Sequence, residues 1–85
     1  MDSNLQKKAY FQSRRGLQEL DLIFIPFVEE VFCSLDQEDQ KSFLTLLDNE
    51  DIDLLDWLLK EVNPPAEFFE IVNKVKGHLN YDSTK

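Results

Sequence analysis

Apolar positions recur along this chain at helical spacing. Leu17, Leu20, Phe24, Phe27 and Val31 lie 3, 4, 3 and 4 residues apart, which places them on one face of a 3.6-residue helix. A strand at LIFIPFV is the rival reading. It fails because the apolar spacing extends beyond the run on both sides, and because Pro26 would remove a ladder hydrogen bond from a central strand. Pro26 also denies the helix a bond to the Leu22 carbonyl, so a kink or a restart is expected there.

The same pattern predicts four further helices. A short first helix carries Leu5, Ala9, Tyr10 and Phe11 and ends near Ser13. Ser34-Leu35-Asp36-Gln37 has the form of a capping box and opens a third, which buries Phe43, Leu44 and Leu47. Asn49 or Asp51 can cap a fourth, with Leu54, Leu55, Trp57 and Leu58 turned inward. Asn63-Pro64-Pro65 ends it, because the residue before a proline is biased out of the α region. Phe68, Val72, Val75 and Leu79 then mark a fifth helix, loosened near Gly77, with residues 80–85 frayed. The expected architecture is all-α, a compact five-helix array forming a single domain over residues 1–85, with Phe24 and Trp57 in its core.

Composition agrees with a folded state. Leu, Ile, Val and Phe make up 29 of 85 residues, well above the roughly 20% below which disorder is the default. One cysteine, Cys33, excludes an internal disulfide, and no Cys or His lies near it at ligand spacing, so small semi-buried packing in a reducing compartment is expected. The N-terminus has no apolar secretion segment, and the longest apolar run is far shorter than the roughly 20 residues that span a bilayer. A soluble, cytoplasmic protein with no membrane insertion is the reading.

Charge narrows the partners. The net charge is −8, divided as +3 over residues 1–16, −13 over residues 17–70 and +2 over the rest. So acidic a body repels a duplex, so nucleic acid is not the expected partner and protein is. Catalytic chemistry finds no support. The lone His78 has no nucleophile set beside it and reads as a surface residue, and two glycines cannot build a phosphate cradle. The acids from Asp48 to Asp53 fail as a calcium loop, with Asp53 where glycine is needed and Leu59 where a glutamate is needed. Capping and solvation account for them.

One stretch is not explained by folding: Arg14-Arg15-Gly16-Leu17-Gln18-Glu19-Leu20-Asp21. If Gly16 begins the second helix, Arg15 and Glu19 form a local ion pair worth a few tenths of a kcal/mol, in the order that opposes the helix dipole. Alternatively, Gly16 leaves room for close approach of another protein, while Arg15 offers a fork of donors and Glu19 an acceptor. On the second reading, replacing Arg15, Glu19 or Gly16, even Gly16 by leucine, leaves the fold intact and removes binding.

The segment FQSRRGLQELD, with the Pro26-Phe27 break and DIDLLDWL from Asp51 to Leu58, resembles the small bacterial succinate dehydrogenase assembly factors, or flavinylation factors, whose hallmark is R-G-x-x-E. The likeness covers nearly the whole chain. Arg15, Gly16 and Glu19 occupy the hallmark positions, and Asp21 the acid that often follows. Phe11 stands where members often have tryptophan, and Ile52 where D-P-D-L is common. The resemblance implies a five-helix fold and a non-enzymatic factor that binds the flavoprotein subunit of succinate dehydrogenase, or of fumarate reductase, and promotes covalent attachment of FAD. It implies partner contacts at Phe11, Arg14, Arg15, Gly16, Glu19 and Asp21. FAD belongs to the partner, the factor has no cofactor of its own, and it acts as a monomer. An antitoxin-like or acidic adaptor protein is the alternative.

Overall fold

The computed structural model describes residues 3–83, with side chains from residue 4 to residue 78. Five α-helices follow one another, α1 (Ser3–Ser13), α2 (Gln18–Glu30), α3 (Gln37–Leu46), α4 (Asp51–Leu59) and α5 (Ala66–Ser83), with a 3-10 turn at Phe32–Ser34. No strand occurs among the described residues. The Cα radius of gyration is 11.9 Å, close to the ~12 Å of a compact chain of this length.

Periodicity placed the buried faces well. Leu20, Ile23, Phe24, Phe27 and Val28 of α2 are buried, with Leu17 and Val31 packed half-buried at its ends. Phe43 of α3 is the hub of the core: the rings of Phe24, Phe27 and Phe32 lie 5.8, 5.2 and 5.8 Å from its own, within the range where aromatic pairs attract. Trp57 of α4 meets Phe68 of α5 at 6.0 Å. Leu47 and Leu58 are buried as expected, whereas Leu44 and Leu55 are only partly so, and Leu46 and Ile71 take fully buried places. α1 lies against α2 and reaches α3, and its Ala9 is fully buried. Such a small side chain lets two helix backbones approach closely.

Several local expectations change. α2 runs through Pro26 without a restart. The carbonyl that Pro26 leaves without its helical donor belongs to Leu22, at an exposed position, while burial of Phe24, Phe27 and Val28 holds the helix on both sides of the proline. The capping box does not form at Ser34. Its Oγ donates to the Val31 carbonyl at 2.7 Å, and Asp36 is the cap, accepting from the Asp39 N–H at 2.9 Å. A carboxylate accepts more strongly than a hydroxyl and also suits the helix dipole. Glu50 precedes α4 without a side-chain bond, and Asn49 donates back to the Leu46 carbonyl instead.

α5 continues through Gly77 to Ser83, because an isolated glycine weakens a helix without ending it. Residues 80–83, where fraying is expected from the sequence, belong to α5, while residues 84–85 and the side chain of Leu79 lie outside the described residues. Cys33 is exposed, since the 3-10 turn that buries Phe32 turns its neighbour outward. His78 is not an isolated surface residue: only 14% of its side chain is exposed, with Nε2 3.0 Å from Glu30 Oε1 and the ring edge-on to Phe27. Asp39 also holds Lys74 at 3.1 Å, joining α3 to α5. That hydrogen bond raises the lysine above its usual 10.5, so the tie is complete below pH 10.5 and weakens as pH rises through the raised value.

Candidate partner-binding site

The α1–α2 joint consists of residues 14–17, and Gly16 sits within it at φ 83°, outside both helices. α2 begins at Gln18, so Gly16 does not open it. A φ of this size lies beyond the small left-handed well available to other residues, so the joint itself calls for glycine. Nothing approaches within 4 Å of where a Cβ would stand. The glycine therefore serves the backbone turn, and the space above it is open.

Arg15 turns away from that open side. Its side chain is only 16% exposed and reaches across to the α3–α4 connection. Nε donates to Asp51 Oδ1 at 2.6 Å, Nη1 to the carbonyls of Leu47 at 2.7 Å and Gln12 at 3.1 Å, and Nη2 to the Asn49 carbonyl at 2.8 Å. Four of the five guanidinium N–H groups are thereby occupied. The backbone N–H of Arg15 is held as well, donating to Asp21 Oδ1 at 2.8 Å. Arg15 is thus a clasp that fastens the first joint to the second half of the fold, and Asp21 ties the same residue to the first turn of α2. The Arg15–Glu19 pair does not form, since the guanidinium faces Asp51.

The other polar residues of the joint, with Phe11 before it, face solvent. Phe11 is 68% exposed, and Arg14, Gly16 and Glu19 are exposed too. Phe11, Arg14, Gly16 and Asp21 line one shallow hollow of about 420 Å³. Arg14 stands with its guanidinium carbon 6.0 Å from the centre of the Tyr10 ring, close enough for a cation–π contact. Glu19 lies in the acidic first turn of α2 and is not among the residues lining the hollow.

The fold therefore divides the six sequence-selected residues. Phe11, Arg14 and Gly16 surround a hollow with Asp21 in its wall, Glu19 stands free nearby in sequence, and Arg15 lies beneath. Sequence reasoning missed the role of Asp51, read there as a capping or solvated acid. Its partner is 36 residues away, and no local spacing announces such a pair. The only sequence hint was that Asp51 opens the second segment on which the family resemblance rests. Replacing Arg15, or placing leucine at Gly16, also cannot be neutral for folding as expected: the first removes the clasp, and the second forces a side chain into a backbone conformation that strains it.

Comparison with known proteins places the chain in a family. The family described as "Flavinator of succinate dehydrogenase" matches residues 7–79. The FAD assembly factor SdhE of Pseudomonas aeruginosa is 44% identical over 82 residues, covering 95% of this chain and 98% of the relative. Those of Francisella tularensis and Coxiella burnetii are 34% identical over 79 residues, covering 92% and 83% of the two chains, and 42% identical over 71 residues, covering 82% and 87%. No solved structure gives a significant match. With the match spanning both Arg15 and Asp51, and with relatives this similar from end to end, the chain belongs to the family of succinate dehydrogenase flavinators.

Proposed function

We propose that this protein binds the flavoprotein subunit of succinate dehydrogenase and promotes covalent attachment of FAD to it, acting as an assembly factor and not as an enzyme. Family membership supports the reading, as do the names of its relatives. The observation that carries it to particular residues is the division of the motif. Phe11, Arg14, Gly16 and Glu19 remain exposed, while Arg15 and Asp21 spend their hydrogen bonds holding the joint in shape. A charged group and an aromatic ring left free around an open glycine suit recognition of another protein's surface.

The mechanism is conformational. The bound factor holds the flavoprotein in the arrangement where its acceptor histidine and the flavin methyl group meet, a proximity effect supplied from outside. FAD stays with the flavoprotein, and the factor brings no cofactor. It acts as a monomer in the cytoplasm, and fumarate reductase, whose flavoprotein is related, is a second partner. No described helix is long and apolar enough to cross a membrane.

The test is flavin fluorescence of the succinate dehydrogenase flavoprotein on a denaturing gel, after expression with and without the factor. Covalent flavin is expected only with the factor, and Glu19→Ala should lose most of it while keeping its helical circular dichroism. A desolvated charge near an interface centre is commonly worth about 2 kcal/mol or more. Equal fluorescence in the presence and absence of the factor, with no complex on co-purification, removes the proposal.

A further inference from the structure

A second hollow, of about 370 Å³, lies between α1 and the end of α2 and is lined by Gln6, Lys7, Tyr10, Phe11, Val28 and Glu29. Val28 is buried and Tyr10 half-buried, so the floor is apolar. Its charges are Lys7 on the α1 side and Glu29 on the α2 side. Phe11 lines this hollow and the one beside Gly16. An exposed ring therefore forms a ridge with a depression on either side of it.

A general property of interfaces and the charge distribution of this chain indicate what fills the second depression. A specific protein interface covers about 800 Å² on each partner, far more than the few residues around Gly16 supply, so a footprint seated there must spread. Phe11 leads it across the ridge, since a partner that covers this ring meets both hollows. The electrostatics select the chemistry of the occupant. Residues 1–16 carry +3 on a chain whose residues 17–70 carry −13, and Lys7, Lys8 and Arg14 are all exposed along and just after α1. A carboxylate is drawn to the α1 lip and repelled by most of the remaining surface.

We infer that the partner surface continues past Phe11 into the α1–α2 hollow, where it takes a bulky apolar side chain of the flavoprotein flanked by a carboxylate that meets Lys7. This inference rests on the proposed function. It assigns Lys7, Tyr10 and Glu29 to an interface that the motif itself does not reach.

The experiment measures binding of the purified succinate dehydrogenase flavoprotein subunit to the full chain by titration calorimetry. Lys7→Trp fills the hollow from an exposed position and is expected to weaken binding about tenfold or more. Lys7→Glu leaves the hollow open but reverses the charge, and is expected to weaken binding to a similar extent at low salt, with the loss shrinking as salt is raised. Thr45→Trp, at an exposed position of α3, is the control and should stay within about twofold of the parent chain. If both Lys7 variants bind within twofold of the parent while Glu19→Ala loses binding, the extension is overturned and the proposed function stands. If the parent chain does not bind the flavoprotein, both fall.

Discussion

Two joints of this molecule place a residue at positive φ, and they do so for different purposes. Between α1 and α2 the residue is Gly16 at φ 83°, and between α4 and α5 it is Glu61 at φ 62°. The second value lies within the left-handed well that an ordinary side chain can enter at some cost, and there the chain merely leaves a helix. Val62 donates back to the Asp56 carbonyl at 3.1 Å, and Pro64 and Pro65 then carry it to α5. The first value lies outside that well. Its joint is held on both sides, by Arg15 to Asp51 and by Asp21 to the Arg15 N–H, and the glycine opens onto a hollow. A joint that only ends a helix tolerates glutamate, whereas one that must also hold a fixed shape under an exposed surface has glycine and a partly buried cation.

The largest effect should come from breaking the clasp. Arg15→Met leaves the Asp51 carboxylate and three carbonyls without their donor, and is expected to cost about 2–3 kcal/mol, read from urea unfolding. That is a large share of the stability of so small a domain. Loss of flavoprotein binding in this variant would follow from a displaced joint. Asp51→Asn keeps an acceptor for Nε and should cost clearly less. If Arg15→Met unfolds at the same urea concentration as the parent, the clasp carries no weight and Arg15 returns to the contact surface.

Gly16→Ala meets no clash, so its cost is conformational, about 1–2 kcal/mol. Gly16→Leu should lose a similar amount of stability, with more binding lost because its side chain occupies the open space. At the other joint the sign reverses: Glu61→Gly relieves the positive φ and should gain about 0.5–1 kcal/mol in the same unfolding assay. Equal shifts of the same sign at both positions would show that the joints are alike after all. The smallest expected change is for Glu19→Ala, which removes no hydrogen bond or ion pair among the described residues and should stay within about 0.5 kcal/mol. A larger loss would mean that Glu19 supports the fold.

The legibility of the molecule follows the range of its interactions. Helix faces depend on neighbours three and four residues away, so Phe24, Phe27, Phe43, Trp57 and Val72 could be assigned from spacing alone, whereas α4 ends at Leu59, with Glu61 at positive φ, before the Asn63-Pro64-Pro65 stop that the sequence offered. The choice between Ser34 and Asp36 as the α3 cap was less legible. Both can accept from the first turn, and only the path of the chain leaving the 3-10 turn decides which of them stands at the right distance. The restart that Pro26 allowed does not occur for a related reason: its local cost is real, but burial on both sides of it is larger.

By itself the sequence determined the helical class, the order of the five helices, most of the core, and the motif that sets residues 15–19 apart. Only the tertiary structure decided what each residue of that motif does. Arg15 and Glu19 look like one another's partners when one helix is considered, because four residues make them neighbours on its surface. In the folded chain the α3–α4 connection brings three carbonyl or carboxylate acceptors to the guanidinium from more than thirty residues away, and an arginine that can satisfy four donors together gains more there than from one exposed carboxylate. Glu19 is left free as a consequence, because the geometry that captures its expected partner is set by the packing of helices that neither residue belongs to.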